Sequence, residues 1–346
     1  MILNFPNRLI VPLGGLLAVL LGVAGCPGVF AATLTWDGGG PNNNLGTANN
    51  WNPNQAPAAG DLLVFPALNY GAGNTPSSNN LGTLALDGLQ FEENGTPFSI
   101  TGQFSFDGAP GNGATITSTN AGQASLNGGV RQSNSANSVS VNITSTGNVR
   151  LGTVTNATGL VKSGAGTGTL FLDSTGNNYA GSTTINAGTL RLGLDNVIPD
   201  SSNLILNGGT FHTGGFSETL GTLDVNAGAI INMSGNGTVA FSPSNLVGWS
   251  GTLSIWNWDV VGADATPTAM RFGLNGSALT ASQLYNIRVY DGAGTGYLGS
   301  GALNSSGFLV LVPEPGAVVA GVVLLGLVGW RERRYFLRVP GAGCRA

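Results

Sequence analysis

The chain has 346 residues, only 8% of them charged and 57 of them glycine, and its single lysine is Lys162. Residues 33–312 carry 14 acids against 6 bases, a net of −8. So sparse and acidic a surface does not attract a phosphate backbone, which excludes nucleic-acid binding. The two cysteines, Cys26 and Cys344, lie near the two ends, so the body between them has no disulfide framework, cysteine metal site or thiol nucleophile.

Residues 1–32 read as a signal peptide. Arg8 gives a positive start, 9–23 form an apolar run, and Val29-Phe30-Ala31 supplies the small residues of a cleavage site. Cleavage is expected after Ala31 or Ala32, with the export translocon as the first partner. An alternative cut exists, because Val23-Ala24-Gly25-Cys26 resembles the lipobox of bacterial lipoproteins and would leave Cys26 lipidated.

The body shows strand periodicity throughout. Residues 33–148 carry strand signals such as "TLALDGLQF" (83–91) without a clean period and read as an N-terminal β-rich region or cap. From 149 a repeat emerges. Triplets centred on Arg150, Phe171, Arg191, Phe211 and Ile231 recur about every 20 residues, and a second series runs Thr184, Ile205, Asp224, Ala240. Two series with one period mean at least two short strands per coil. The fold class is therefore all-β, a parallel β-helix or β-solenoid of about 20 residues per coil over 149–250. An antiparallel sandwich would instead space hairpins every 8–12 residues. Turns repeat as "NAGTLRLG" (186–193), "NGGTFHTG" (207–214) and "NAGAIINM" (226–233). Their glycines supply positive φ, and their asparagines are in register to stack amides. Leu190 and Leu192 should point into the coil, and Arg191 away from it. Residues 251–311, beginning just after Trp249, read as a C-terminal β-rich cap, since an open solenoid end exposes unpaired backbone.

Catalytic chemistry is hard to find. A glycosidase needs two converging carboxylates, yet Asp173, Asp195, Asp200 and Glu218 occur singly and read as solvated turn acids. Only Asp195 and Glu218 suggest equivalent places on adjacent coils. His212, the single histidine, reads as a solvent-facing strand residue, without a second ligand or a nucleophile to serve. No catalytic residue, metal or cofactor is expected. Trp256 and Trp258 alternate, so on a strand they share one face, either stacking on sugar rings or packing a cap.

Residues 160–193, "LVKSGAGTGTLFLDSTGNNYAGSTTINAGTLRLG", resemble the autotransporter-associated β-strand repeat, also called the passenger-associated transport repeat. Lys162, Gly164-Ala165-Gly166, Asn178-Tyr179 and Asn186-Ala187-Gly188-Thr189-Leu190 carry the match. The resemblance implies a parallel β-helix of the kind found in adhesin-like surface proteins. At the other end, Val312-Pro313-Glu314-Pro315 precedes an apolar run, 316–330, and the cluster Arg331, Arg333, Arg334 and Arg338. As a helix that run spans roughly 22 Å, short of a hydrocarbon core of roughly 30 Å, and the arginines act as its membrane stop. The order resembles a PEP-CTERM sorting signal over 312–338, with 339–346 as a tail. It implies transient residence in an inner membrane, removal of the tail by an exosortase-type processing enzyme, and delivery to the cell surface or medium. A plain C-terminal anchor is the competing account. Three function classes follow: a non-catalytic structural or adhesin-like surface protein, favoured here; an exopolysaccharide-binding protein; and a β-helix polysaccharide lyase or hydrolase.

Overall fold

The computed structural model describes residues 31–66, 75–92, 95, 97–107, 115–235, 237–258 and 270–312. Their strands form four sheets of ten, eleven, four and three members. In the ten-stranded sheet Thr33 pairs with Leu62, Leu62 with Gly88, Gly88 with Thr115 and Ser140 with Thr115, all parallel. The same sheet continues from Val139 to Leu160, Thr183, Leu204 and Leu223. The eleven-stranded sheet runs in parallel from Phe98–Ile100 to Ile287–Tyr290. The short sheets form a third side, Ala85–Leu86 to Val154–Thr155 and Glu218–Leu220 to Met270–Phe272. This is a parallel β-solenoid. The described residues contain one short α-helix, Ala281–Tyr285, and no helix long and apolar enough to cross a membrane.

Two or three short strands per coil arise because each strand alternates buried apolar and outward residues across the pleat and then meets a glycine or asparagine corner. In Thr189–Leu192, Leu190 and Leu192 are wholly buried and Arg191 is half-exposed. Leu170, Leu190 and Phe211 lie on successive rungs, so the core is a set of aliphatic and aromatic columns running along the axis. Asn186, Asn207 and Asn226 form the expected amide ladder, with Asn207 Nδ2 donating to Asn186 Oδ1 at 2.8 Å and Asn226 Nδ2 to Asn207 Oδ1 at 3.0 Å. Gly188 and Gly209 take φ of +72° and +67° at that corner. Gly228, the third glycine of the series, does not share this conformation.

Along the ladder itself the structure departs from the sequence reading in extent, in phase and in the membership of one column. First, the parallel ladder extends through 33–148, which the sequence marked as a flank. Its coils are longer there, Leu62 to Gly88 being 26 residues and Val139 to Leu160 being 21, and corners of unequal length hide the period. Secondly, Phe211 pairs with Leu190, and His212 with Arg191. Phe211 is therefore a core residue, because a shift of one residue moves a strand side chain to the opposite face. Thirdly, Thr184, Ile205 and Asp224 do share a column, but Ala240 pairs with Thr219 on the third side, which explains the shortened last step.

Both ends of the described ladder are closed. At one end Trp36, Trp51 and Phe65 pack together, with Trp36 and Trp51 ring centres 5.1 Å apart and edge-on. At the other, Tyr297–Leu303 and Leu309–Val312 turn antiparallel onto Ile287–Tyr290. The C-terminal cap thus begins after the parallel strands Leu253–Trp256 and Ile287–Tyr290, which still belong to the solenoid.

A basic and aromatic file on the eleven-stranded face

Outward positions of the eleven-stranded sheet line up by register into two files. One reads Ser125, Arg150, Phe171, Arg191, His212, Asn232 and Trp256, each paired with the next. The other, two residues earlier on each strand, reads Thr169, Thr189, Thr210, Ile230, Ser254, Arg288 and Ser300. Parallel pairing places like position over like position, so residues about 20 apart in sequence become neighbours roughly 4.8 Å apart.

The centre of the first file is a stack. The Arg150 guanidinium carbon sits 4.4 Å from the Phe171 ring centre and that of Arg191 5.6 Å from it, within cation–π range. Arg150 Nη2 also donates to Asp173 Oδ1 at 2.7 Å. Burial pushes the Asp173 carboxyl up, opposed by the charge and hydrogen bond of Arg150. Arg191 has no carboxylate partner among the described residues. His212 is held rather than free: its Nδ1 accepts from the Gly214 N–H at 2.9 Å, and its Nε2 lies 3.3 Å from Ser234 Oγ. Burial, then the charge of Arg191, pushes its imidazole below the ordinary range, which favours the neutral ring.

Farther along, a cavity of about 320 Å³ is lined by Tyr285, Arg288, Tyr290, Tyr297 and Ser300. The Tyr290 and Tyr297 rings are 5.4 Å apart, and Arg288 lies over Tyr285. The opposite, ten-stranded face holds a groove of about 690 Å³ whose lining includes Gln90, Thr115, Thr117 and Ser140, with Asp87 as its one charge.

The tryptophan pair does not form a common surface. Trp256 points outward against Gly294, whereas Trp258 is buried. The strand ends at Trp256, and Asn257 takes a left-handed φ of +55°, which breaks the alternation. The paired sugar-stacking site is corrected on that ground.

Glu218 is not a solvated turn acid either. It is buried, and its Oε2 accepts from the Val197 and Ile198 N–H groups at 2.9 and 3.2 Å. Asn177 does the complementary work one coil earlier, accepting from Val154 N–H and donating to Val197 O, both at 2.6 Å. Together they splice the four-stranded and three-stranded sheets across the two coils whose third side has no strand. Asp195 instead accepts from Ser217 N–H at 2.6 Å, so the two acids hold separate backbone groups. Lys162, whose role the sequence left unread, is wholly buried and donates from Nζ to the carbonyls of Ser163, Gly164 and Ala187. A Cβ at Gly188 would lie 2.6 Å from that Nζ, so the glycine makes room for the lysine. Burial draws the lysine pKa down to about 8.

Ala32 N–H donates to Asp61 Oδ1 at 2.7 Å, and Val312 ends the last strand opposite Ser300. The remaining parts of the two terminal signals lie outside the described residues: Cys26, Pro313, Glu314, Pro315, the apolar run 316–330, and Arg331, Arg333, Arg334 and Arg338. Among the described residues no group of three or more His, Cys, Asp or Glu is placed to hold a metal.

No curated protein and no solved structure matches the chain. A family model does match, over residues 160–192, which span the strands Leu160–Ser163, Thr169–Leu172, Thr183–Ile185 and Thr189–Leu192 and include Lys162, Phe171 and Arg191; in this segment the chain is similar to the passenger-associated-transport-repeat.

Proposed function

We propose that the protein is an exported, non-catalytic β-solenoid that serves as a structural, adhesin-like component of the cell surface or extracellular matrix, sorted through its PEP-CTERM signal. The observation that carries this reading is the long parallel ladder with a side-chain-filled interior, containing a repeat similar to those of transported passengers. A repetitive rod of this kind presents long faces to partners. The placement of its acids supports the non-catalytic part. Asp173 is neutralised by Arg150, Glu218 is a backbone acceptor inside the coil, and Asp195 caps a turn. Incubation with a panel of neutral and acidic polysaccharides is therefore expected to release neither reducing ends nor unsaturated sugars. Release that is lost on mutating a single acid would overturn the reading.

The processing steps rest on the two terminal sequences. Cleavage after Ala31 would leave the new α-ammonium of Ala32 beside the Asp61 carboxylate, a favourable charge pair. At the other end the run 316–330 halts export, and the arginines hold its far side in the cytoplasm, because moving several guanidinium groups into hydrocarbon costs a few kcal/mol each on insertion scales. Val312-Pro313-Glu314-Pro315 then stands just outside the bilayer, extended by its prolines, for the exosortase-type enzyme. Changing Pro313, Glu314 and Pro315 to alanine is expected to leave insertion intact and to accumulate full-length protein in the inner membrane. Fractionation with mass spectrometry of the native C-terminus checks this. Surface protein that keeps its tail through Arg338 would establish a plain anchor instead.

A further inference from the structure

We propose that the outward file Arg150–Phe171–Arg191–His212, flanked by Thr169, Thr189 and Thr210, is a binding track for an anionic polysaccharide chain lying along the solenoid axis. The inference goes beyond the scaffold function and draws on it only for the polymers an exported protein meets.

Three observations carry it. The first is charge. The body is net acidic, −8 over residues 33–312, yet three of the five arginines among the described residues, Arg150, Arg191 and Arg288, project from this one face. The face has an acid in Asp173, and that is already paired to Arg150. Arg191 is thus a guanidinium with no carboxylate partner among the described residues, and its fork suits a carboxylate or sulfate. The second is the Phe171 ring, half-exposed between the two guanidinium groups. Its outward edge, with the aliphatic stems of the two arginines stacked on it, forms an apolar strip between fixed cations, which matches a pyranose that has one C–H face and carries its acidic group at the rim. The third is geometry. The track follows the sheet register, so Arg150 and Arg191 stand two rungs apart, roughly 10 Å along the axis, on the scale of alternate units in an extended glycan. The threonine file beside them offers hydroxyls at every intervening rung. A repeating surface of this kind answers a repeating polymer. Neutral glycans would leave Arg191 unpaired, and duplex DNA, with a charge every ~1.7 Å of its axis, meets far more repulsion from the acidic body than a glycan with one acidic group per sugar.

The test uses the purified full-length protein in detergent micelles and measures binding of polygalacturonate, alginate, dextran and double-stranded DNA by affinity electrophoresis and titration calorimetry. The acidic glycans are expected to bind, more weakly as salt rises, and dextran and DNA are not. Arg191→Gln and Phe171→Ala should each weaken binding about tenfold, with unchanged circular dichroism and only a small fall in melting temperature, while Arg131→Gln on a different sheet leaves binding unaltered. Failure of the acidic glycans to bind, equal binding of dextran or DNA, or wild-type binding by both variants would overturn the proposal. So would self-association of the protein that Phe171→Ala abolishes, since this face would then be an interface between copies. None of these outcomes bears on where the native tail is cut, so the export reading stands or falls separately.

Discussion

Truncating Leu190 to alanine is expected to destabilise the protein by about 2–5 kcal/mol, whereas Arg191→Ala, one residue on, is expected to cost well under that. Leu190 is wholly buried, between Leu170 on one rung and Phe211 on the next. Removing its three outer carbons forfeits their transfer energy and leaves a void. The void closes poorly, because the rungs above and below are fixed by backbone hydrogen bonds. Arg191 projects from the other side of the same strand and loses only its contacts with Phe171 and the 212–214 corner. Urea unfolding of both variants checks this. Equal midpoints would show that the facing of the strand is wrong.

Stability is expected to fall by on the order of 3 kcal/mol between pH 4.5 and pH 7 through Glu218 alone. Burial is the main cause that raises its carboxyl from 4.5 to about 7, opposed by the N–H groups of Ile198, Val197 and Thr219, with a smaller upward push from Asp200. Below 4.5 the group is protonated in both states, and its contribution is fully present. Between 4.5 and 7 the unfolded chain has released a proton that the folded chain still holds, so the unfolded state binds fewer protons and stability declines as pH rises. Above about 7 the folded carboxyl ionises as well, and the decline stops. Glu218→Gln keeps the length and an acceptor for Val197 and Ile198 N–H but does not titrate. Urea midpoints at pH 4, 5.5 and 7.5 should therefore converge for wild type and variant at the acid end of any change and separate as pH rises, the variant being flatter. Parallel profiles would remove Glu218 as the cause. Asp173, also raised, titrates alike in both proteins and cancels in the comparison. Lys162, lowered to about 8, acts only at higher pH.

The splice that buries Glu218 also shows what was illegible. Asn177 and Glu218 stand 41 residues apart, each alone among polar turn residues, and resemble any other loop asparagine or acid. Their role exists only because two successive coils have no third-side strand between Val154–Thr155 and Glu218–Leu220, leaving Val154 and Val197 to be bonded by side chains. The face expected to be shared by Trp256 and Trp258 fails for a related reason: alternation holds only while the backbone stays extended, and the positive φ of Asn257 ends it.

By itself the sequence determined what is local or strictly periodic. The 20-residue spacing implied parallel coils, alternation set Leu190 and Leu192 inward and Arg191 outward, and the in-phase asparagines implied the ladder that Asn186, Asn207 and Asn226 form. Those features follow from strand geometry and repeat length, which any window of two coils contains. Tertiary structure alone decided how far the ladder reaches, since 33–148 keeps the pairing while its corners vary in length. It settled the phase at Phe211, where the triplet centres set that residue over Arg191 and the aligned turns 186–193 and 207–214 set it over Leu190, in the core. And it carried the series Arg150, Phe171, Arg191 on to His212, Asn232 and Trp256, because registers that differ by one residue choose opposite faces, and only the hydrogen-bonded stacking of whole coils fixes that choice.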